Sequence, residues 1–372
     1  MKMIFAIPIT LVMVYRAWSK ATLTHAGIVA AILTAGAHAI HPWNVPFGLL
    51  ITFFIAGTRV TKIKYHIKSK LTIQASGDIG KESPRTHIQV FANSGVASVL
   101  SMLHAYQLIH REENYCHSWP GNLLFTGIVA NYAAVAADTF SSELGILSKS
   151  QPRLITSLTL RKVPPGTNGG VTFFGLVAAL LGSSIIVIAS ILLTPFCQSS
   201  IPINERDGSR TWTFSDKLRF SIAMIIWGAM GSVVDSFLGG WLQQSVIDTR
   251  SGKIVEGNGG KKVIVEILKY NVLEERLLRD GSLKRDRLSE APDSSSHYFD
   301  GDSSTKTDKF NEEGSSISSK SLEMKPSRVV ESGSLAWLDN NEVNFVMALT
   351  MSIGAMIIAS LTLQVPLSSL LP

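Results

Sequence analysis

Apolar runs of membrane-spanning length, separated by short polar stretches, dominate the chain. They fall at about 3–17, 23–40, 43–58, 88–109, 120–138, 171–195, 217–242 and 343–365. A hydrocarbon core of ~30 Å needs roughly 20 mostly apolar residues in a helix. The pattern therefore predicts an all-α polytopic integral membrane protein with about eight transmembrane helices, the first being the least sharply defined. Lys2 ahead of an apolar run resembles a signal peptide. However, Arg16, Trp18 and Lys20 end that run without a small-residue cleavage site, so it reads as a first helix.

The polar stretches alternate in charge. Arg16 and Lys20 lie in one loop, Arg59, Lys62, Lys64, Lys68, Lys70, Lys81 and Arg85 in a second, and Lys149, Arg153, Arg161 and Lys162 in a third. The intervening loops near His41 and between Arg111 and Pro120 are poorer in Lys and Arg, which assigns the basic set to the cytosol and both termini to the other side. Thr61–Pro84 reads as a Lys-rich excursion forming a helix or hairpin. After the span ending at Leu242, two β-branched runs flank Gly257-Asn258-Gly259-Gly260, the pattern of a small cytosolic β-hairpin. Residues 283–335 are rich in Ser, Asp, Lys and Glu and too poor in large apolar residues to offset their ordering entropy. A disordered cytosolic insertion is expected there. The resulting division is a helical membrane domain over 1–242, a hairpin and helix segment over 243–282, the insertion over 283–335, and a final spanning helix within 336–372.

Composition sharpens this picture. Charged residues make up 17% and hydrophobic residues 46% of the 372 residues, and mean hydropathy is +0.24, against ~25% charged residues in ordinary soluble domains. The net charge of +6 then reads as loop charge. With no basic stripe interleaved with aromatics, no nucleic-acid partner is expected. Two cysteines, Cys116 and Cys197, are too few for a disulfide framework or a zinc site. Both fall on the non-cytosolic side, where pairing is open to them in an oxidising lumen, although two free thiols are the expectation.

Candidate chemistry gathers at the cytosolic ends of the spans. Ionisable groups inside a membrane helix cost a few kcal/mol on insertion scales, so each calls for a reason. Asp138 closes the fifth span, with Ser142 one turn beyond it, and Asp235 lies deeper in the seventh. Asp138-Thr139-Phe140 parallels Asp235-Ser236-Phe237. Two carboxylates with neighbouring hydroxyls suit a Mg²⁺ that also bridges to phosphate oxygens, with Glu143 as a possible helper. The alternative is a pair of helix caps or interhelical acceptors. Lys162-Val163-Pro164-Pro165-Gly166-Thr167-Asn168-Gly169-Gly170 leads toward the sixth span. A helix N-terminus with a nearby Lys is an anion site, and a packing turn is the equal alternative. Gln89 and Asn93, like Asn340 and Asn344, sit four residues apart at the same level, where interhelical hydrogen bonding is the simpler role. His38 and His41 lie on the opposite side and read as interfacial residues.

These residues carry a resemblance. Ala137–Gly145, Pro152–Thr156, Lys162–Gly170, Gln89-Val90 with Asn93, Asp235-Ser236 with Gly239, and Asn340-Asn341 with Val343-Asn344 are similar to motifs of the transmembrane protein 19 family, which includes plant phytyl-phosphate kinase. The resemblance covers roughly 10–280 and 335–365. Phe140 stands where Trp is expected, Ser141 where Ala is expected, and the Ser-rich insertion is additional; none of these touches the carboxylates. The resemblance implies a membrane protein that phosphorylates an isoprenoid monophosphate from a nucleoside triphosphate. Its distant similarity to CTP-using polyprenol kinases makes CTP a donor to test beside ATP. An endomembrane such as the endoplasmic reticulum is the expected location.

Two readings stand at this level. In the first, a lipid-phosphate kinase holds Mg²⁺ on Asp138 and Asp235 and lays the triphosphate on Gly166, Thr167, Asn168, Gly169, Gly170 and Lys162. Asn93, Ser142, Ser236, Asn340 and Asn344 support it. In the second, a transporter or scaffold binds a coupling ion on the same carboxylates, as paired elements of an internal repeat would. A transport site belongs near the midplane with access from both sides, whereas these motifs share one face, which favours the kinase.

Overall fold

A computed structural model describes residues 3–74, 84–110, 116–197, 210–257, 328–333 and 335–370. Residues 283–327 of the expected disordered insertion and the Asn258–Gly260 part of the expected hairpin turn lie outside these residues. The described residues belong almost entirely to one compact unit, Met1–Val263 with Val329–Pro372.

Helices occupy each expected apolar run: α1 (Met3–Ser19), α2 (His25–Ala39), α3 (Val45–Lys62), α5 (His87–His110), α6 (Leu123–Gly145), α7 (Phe173–Leu193), α8 (Phe214–Leu242) and α9 (Asn340–Leu363). One further short turn, α4 (Tyr65–Lys68), follows α3. Six of them, α3 and α5 to α9, are long and apolar enough to cross a membrane. Helices α1 and α2 have 17 and 15 residues, about 22–26 Å at 1.5 Å per residue, short of a ~30 Å core. The count of eight spans is thus a count of apolar helices, six of which reach full crossing length. Starts are set by local chemistry. Asn122 accepts from the Leu124 N–H at 2.8 Å, and Thr172 accepts from Gly175. Thr213 with Asp216 and Asp339 with Glu342 form reciprocal capping boxes.

Helix α6 is the axis of the bundle. Every residue from Leu123 to Ala137 is buried, and α3, α5, α7, α8 and α9 all pack on it. Its small side chains allow this. A Cβ on Gly228 of α8 would lie 2.7 Å from Ala133 Cβ, one on Gly231 would lie 2.6 Å from Ala134 Cβ, and one on Gly182 of α7 would lie 2.6 Å from the Ala136 carbonyl oxygen. Lipid tails are as apolar as Leu, so close backbone approach and interhelical hydrogen bonds drive helix association in a membrane. Such bonds are present: Asn131 Nδ2 donates to the Asn93 carbonyl at 3.3 Å, Ser352 donates to Asn131 Oδ1 at 3.4 Å, and Trp227 donates to the Met351 carbonyl at 2.9 Å.

At one end of the bundle, His117 and Phe196 form a bridge between the loops before α6 and after α7, with Cys197 N–H donating to the His117 carbonyl at 3.2 Å. This pairing sets Cys116 beside Cys197, and the two are joined as a disulfide rather than standing as free thiols. His38 and His41 are fully buried, not interfacial. The reason is polar partners inside the bundle: Tyr132 OH and His38 Nε2 are 2.7 Å apart, and His41 Nε2 and His104 Nδ1 are 3.0 Å apart. Burial pushes the His117 imidazole down to about 3.

At the other end lies a four-stranded sheet of order β1 (Thr72–Gln74), β5 (Lys253–Glu256), β4 (Ser245–Asp248), β6 (Arg328–Ser332). β4 and β5 are antiparallel, joined by a turn over Asp248–Lys253. Asp248 accepts from the Ser251 N–H at 3.1 Å and Gly252 takes positive φ, so this turn satisfies itself locally. β1 comes from the Lys-rich excursion after α3 and runs parallel to β5. β6 lies inside the stretch expected to be disordered, where Val329-Val330 supplies strand propensity. A two-stranded pair, β2 (Arg153–Leu154) with β3 (Gly170–Val171), closes the loop between α6 and α7.

Three outcomes test this fold. Gly231→Val should cost about 1–3 kcal/mol by overpacking against Ala134, measured as a lower unfolding midpoint in detergent. Cys116→Ser should abolish the mobility difference between reduced and non-reduced protein, and full alkylation of the wild type without reductant would contradict the disulfide. His117 has a folded pKa below its unfolded ~6.5, so it contributes stability that is complete above pH 6.5 and is lost as pH falls from there toward 3. The unfolding midpoint should drop between pH 7 and pH 5, and His117→Phe should shrink that drop.

Candidate functional site

The C-terminal ends of α6 and α8 and the N-terminal ends of α5, α7 and α9 converge on one polar cleft of about 500 Å³. α6 and α8 run in parallel toward it. Ala134 touches Gly231, and one turn further along each helix stand Asp138 and Asp235, on the same faces by the four-residue repeat. Their carboxyl groups are in hydrogen-bonding contact with each other. Asn344 of α9, with its amide nitrogen turned toward α8, donates to Asp235 Oδ1 at 3.1 Å and to the Asn340 carbonyl at 3.1 Å. Two touching carboxylates repel unless a proton or a cation lies between them. Oxygen donors of this kind fit Mg²⁺, which usually takes one or two carboxylates and keeps its remaining positions for water and phosphate. Among the described residues no group of three or more His, Cys, Asp or Glu side chains is placed to hold a metal, so the protein's own contribution would be this pair.

Glu143 lines the same cleft, and Lys68 Nζ engages it as a salt bridge. The same ammonium donates to the Thr61 carbonyl at 2.5 Å, and Lys68 is buried. Ser142 lines the cleft and donates to the Thr139 carbonyl at 3.2 Å, and Ser236, Asn93, Asn340 and Asn344 line it as well.

Gly166, Thr167, Asn168, Gly169 and Gly170 also line the cleft, but the turn differs from the expected helix N-terminus. β3 and the Thr172 cap separate it from α7. Its N–H groups are largely engaged: Thr167 donates to the Pro164 carbonyl at 3.3 Å, Asn168 to Ser245 Oγ at 2.9 Å, and Gly170 to the Thr167 carbonyl at 2.9 Å. The glycines serve approach. Gly169 has φ +82°, and a Cβ there would lie 2.6 Å from Gly240 Cα; Gly166 has φ +88°, and its Cβ would lie 2.7 Å from Thr72 Cγ2. The turn is a wall keyed into α8 and the sheet. Lys162 lies outside the cleft lining, exposed on the strand-like segment that bridges to Arg153. The loop's backbone pairing turns it away, which a reading by sequence proximity could not foresee.

The structure adds residues that the sequence did not single out as a site. Arg85 lines the cleft just before α5, and Asp339, Asn341 and Glu256 complete its rim. Desolvation in the cleft and the charge of Glu143 push the Glu256 carboxyl above the usual range, against a hydrogen bond to Thr72. Arg85 carried a signal, a cation immediately ahead of an apolar run. Glu256 carried none, because its position depends on a strand pairing across the sheet.

The arrangement has known relatives. A protein named PGR from Arabidopsis thaliana is 31% identical over 279 residues, covering 73% of this chain and 90% of the relative. An uncharacterized membrane protein of Methanocaldococcus jannaschii is 33% identical over 145 residues, covering 39% of this chain and 52% of the relative. The chloroplastic protein VTE6 of Arabidopsis thaliana is 29% identical over 166 residues, covering 43% of this chain and 44% of the relative. No solved structure matches. Residues 8–352 match the family described as integral membrane protein DUF92, and the match spans the helices that carry both carboxylates; the chain belongs to this family of multi-pass membrane proteins.

Proposed function

We propose that this protein is a membrane-embedded kinase that phosphorylates an isoprenoid monophosphate from a nucleoside triphosphate, CTP or ATP, in an endomembrane such as the endoplasmic reticulum. The observation that carries the reading is the contact between Asp138 and Asp235 on the floor of a polar cleft at the helix ends. A volume of about 500 Å³ falls within the range of small-molecule sites. The motifs shared with the transmembrane protein 19 family and its phytyl-phosphate kinase supply the reaction class.

Mg²⁺ on the carboxylate pair would neutralise charge on the triphosphate. The chain's residues do the positioning. Asn344 fixes the Asp235 carboxylate, the α6–α8 contact fixes the spacing of the pair, and Gly166–Gly170 wall the space where the triphosphate lies. An oxygen of the lipid monophosphate attacks the γ-phosphorus, the bond to the β-phosphate oxygen breaks, and nucleoside diphosphate leaves. Such a transfer depends on alignment and charge neutralisation and requires no covalent nucleophile. The Lys68–Glu143 pair holds the excursion after α3 against the end of α6 and keeps the cleft's rim in place.

The direct test is to incubate detergent-purified protein with labelled CTP or ATP, Mg²⁺ and a panel of isoprenyl monophosphates, and to look for the lipid diphosphate. Asp138→Asn and Asp235→Asn should each lower turnover by at least about 10²-fold at normal yield. The double variant should lose little more, because the two act as a unit. A helix-capping role predicts the reverse, reduced yield with normal specific activity. Lys162→Ala should stay within about twofold of wild type in turnover and in nucleotide KM. A large KM increase would return that lysine to the site.

A further inference from the structure

Beside the polar cleft lies a second cavity of about 100 Å³. It opens between α1, α2, α3 and α5, and Met13, Val14, Ile28, Ala31 and Leu50 give it an apolar wall. Phe53, Arg85, Gln89 and Asn93 line both cavities, so the apolar groove and the polar cleft meet along one shared partition.

Arg85 is the charged member of that partition. Its backbone is pinned, the N–H donating to the Thr22 carbonyl at 2.9 Å and the carbonyl accepting from Thr24 at 3.0 Å. Its Nη2 donates to Thr61 Oγ1 at 3.0 Å. The residue is half-buried, and among the described residues no carboxylate pairs with it. A partly desolvated guanidinium without a counter-charge is costly, and its planar fork of donors matches a phosphate. The groove beside it is small, with room for the carbons nearest the head of one hydrocarbon chain rather than two. Its outer helices α1 and α2 present exposed Ile4, Leu11, Val29 and Leu33, surface that belongs against lipid.

We propose that this groove holds the hydrocarbon chain of a single-chain lipid monophosphate, with the phosphate on Arg85 at the edge of the cleft. The assignment rests on the kinase reading only for the direction in which the phosphate faces; binding itself is independent of it. Because Phe53, Arg85, Gln89 and Asn93 line both cavities, an apolar tail in the groove sets an anionic head at the edge of the cleft. That is the division a soluble nucleotide and a membrane-dissolved acceptor require if they are to meet at Asp138 and Asp235.

The test uses the full-length protein in lipid nanodiscs without nucleotide or Mg²⁺. The probe is a C15 prenyl monophosphate bearing a mid-chain diazirine. Photolysis should label peptides of α1, α2 and α3. Unlabelled C15 prenyl monophosphate should compete at least tenfold better than the corresponding alcohol. Ala31→Trp, which fills the groove, and Arg85→Gln should each reduce labelling at least fivefold at matched yield and elution, Arg85→Lys should restore part of it, and Ile188→Trp on the outer face of α7 should leave it unchanged. Labelling concentrated on α7 and α8, labelling unaffected by Ala31→Trp, or equal competition by a diacyl phosphatidic acid would each overturn the proposal. Because no donor is present, a failure of phosphoryl transfer in the separate kinase assay leaves this result standing. Transfer that proceeds normally in Ala31→Trp overturns the groove and spares the kinase reading.

Discussion

The close approach of α6 and α8 is the constraint on which the site depends. Gly228 and Gly231 let the α8 backbone settle against Ala133 and Ala134, and one turn on, the same two faces carry Asp235 and Asp138. A larger side chain at either glycine would push the two carboxylates apart along with the helices. The arrangement is expensive in a membrane, where charge at depth is disfavoured. It is tolerated because the cleft opens to the polar end of the bundle and because Asn344 supplies a donor to Asp235. Packing and chemistry are therefore not separable here: the small residues that bring the helices together also set the geometry of the acidic pair.

The two ends of the bundle are built for different tasks. Around His117 and Trp212 the rings stack at 5.2 Å, Trp43 packs edge-on to His104 at 5.0 Å, and the Cys116–Cys197 bond ties the two loops together. That end is closely packed with rings. The opposite end leaves a cleft lined by Asn, Asp, Ser and Thr.

Much of this was readable from the order of residues. The apolar runs placed the helices, because a run of about 20 apolar residues in hydrocarbon satisfies its own backbone groups as a helix. The ionisable residues inside them, Asp138 and Asp235, both line the one polar cleft at the helix ends. What escaped depended on pairings distant in sequence. Lys68 looked like one more solvated lysine until β1 joined β5 and brought it to Glu143. Lys162 looked close to the cleft because it is close in sequence to Gly166, and the bridge to Arg153 turned it away. The turn at Gly166–Gly170 read equally well as an anion cradle or a packing joint, and only the approach to Gly240 and Thr72 showed how its glycines are used.

The order of the sheet has a consequence for how the chain can vary. β5 ends at Glu256 in the lining of the cleft, and β6, which begins at Arg328, joins the same sheet on the other side of β4. The stretch between them thus starts and finishes on one sheet. The entropy of closing such a loop grows only logarithmically, about 0.6 kcal/mol for each doubling of length. Residues can be added or removed there at almost no thermodynamic penalty to the helices below. That makes this junction the natural place for relatives to differ in length while the acidic pair stays where it is, and a suitable point at which to insert a reporter domain.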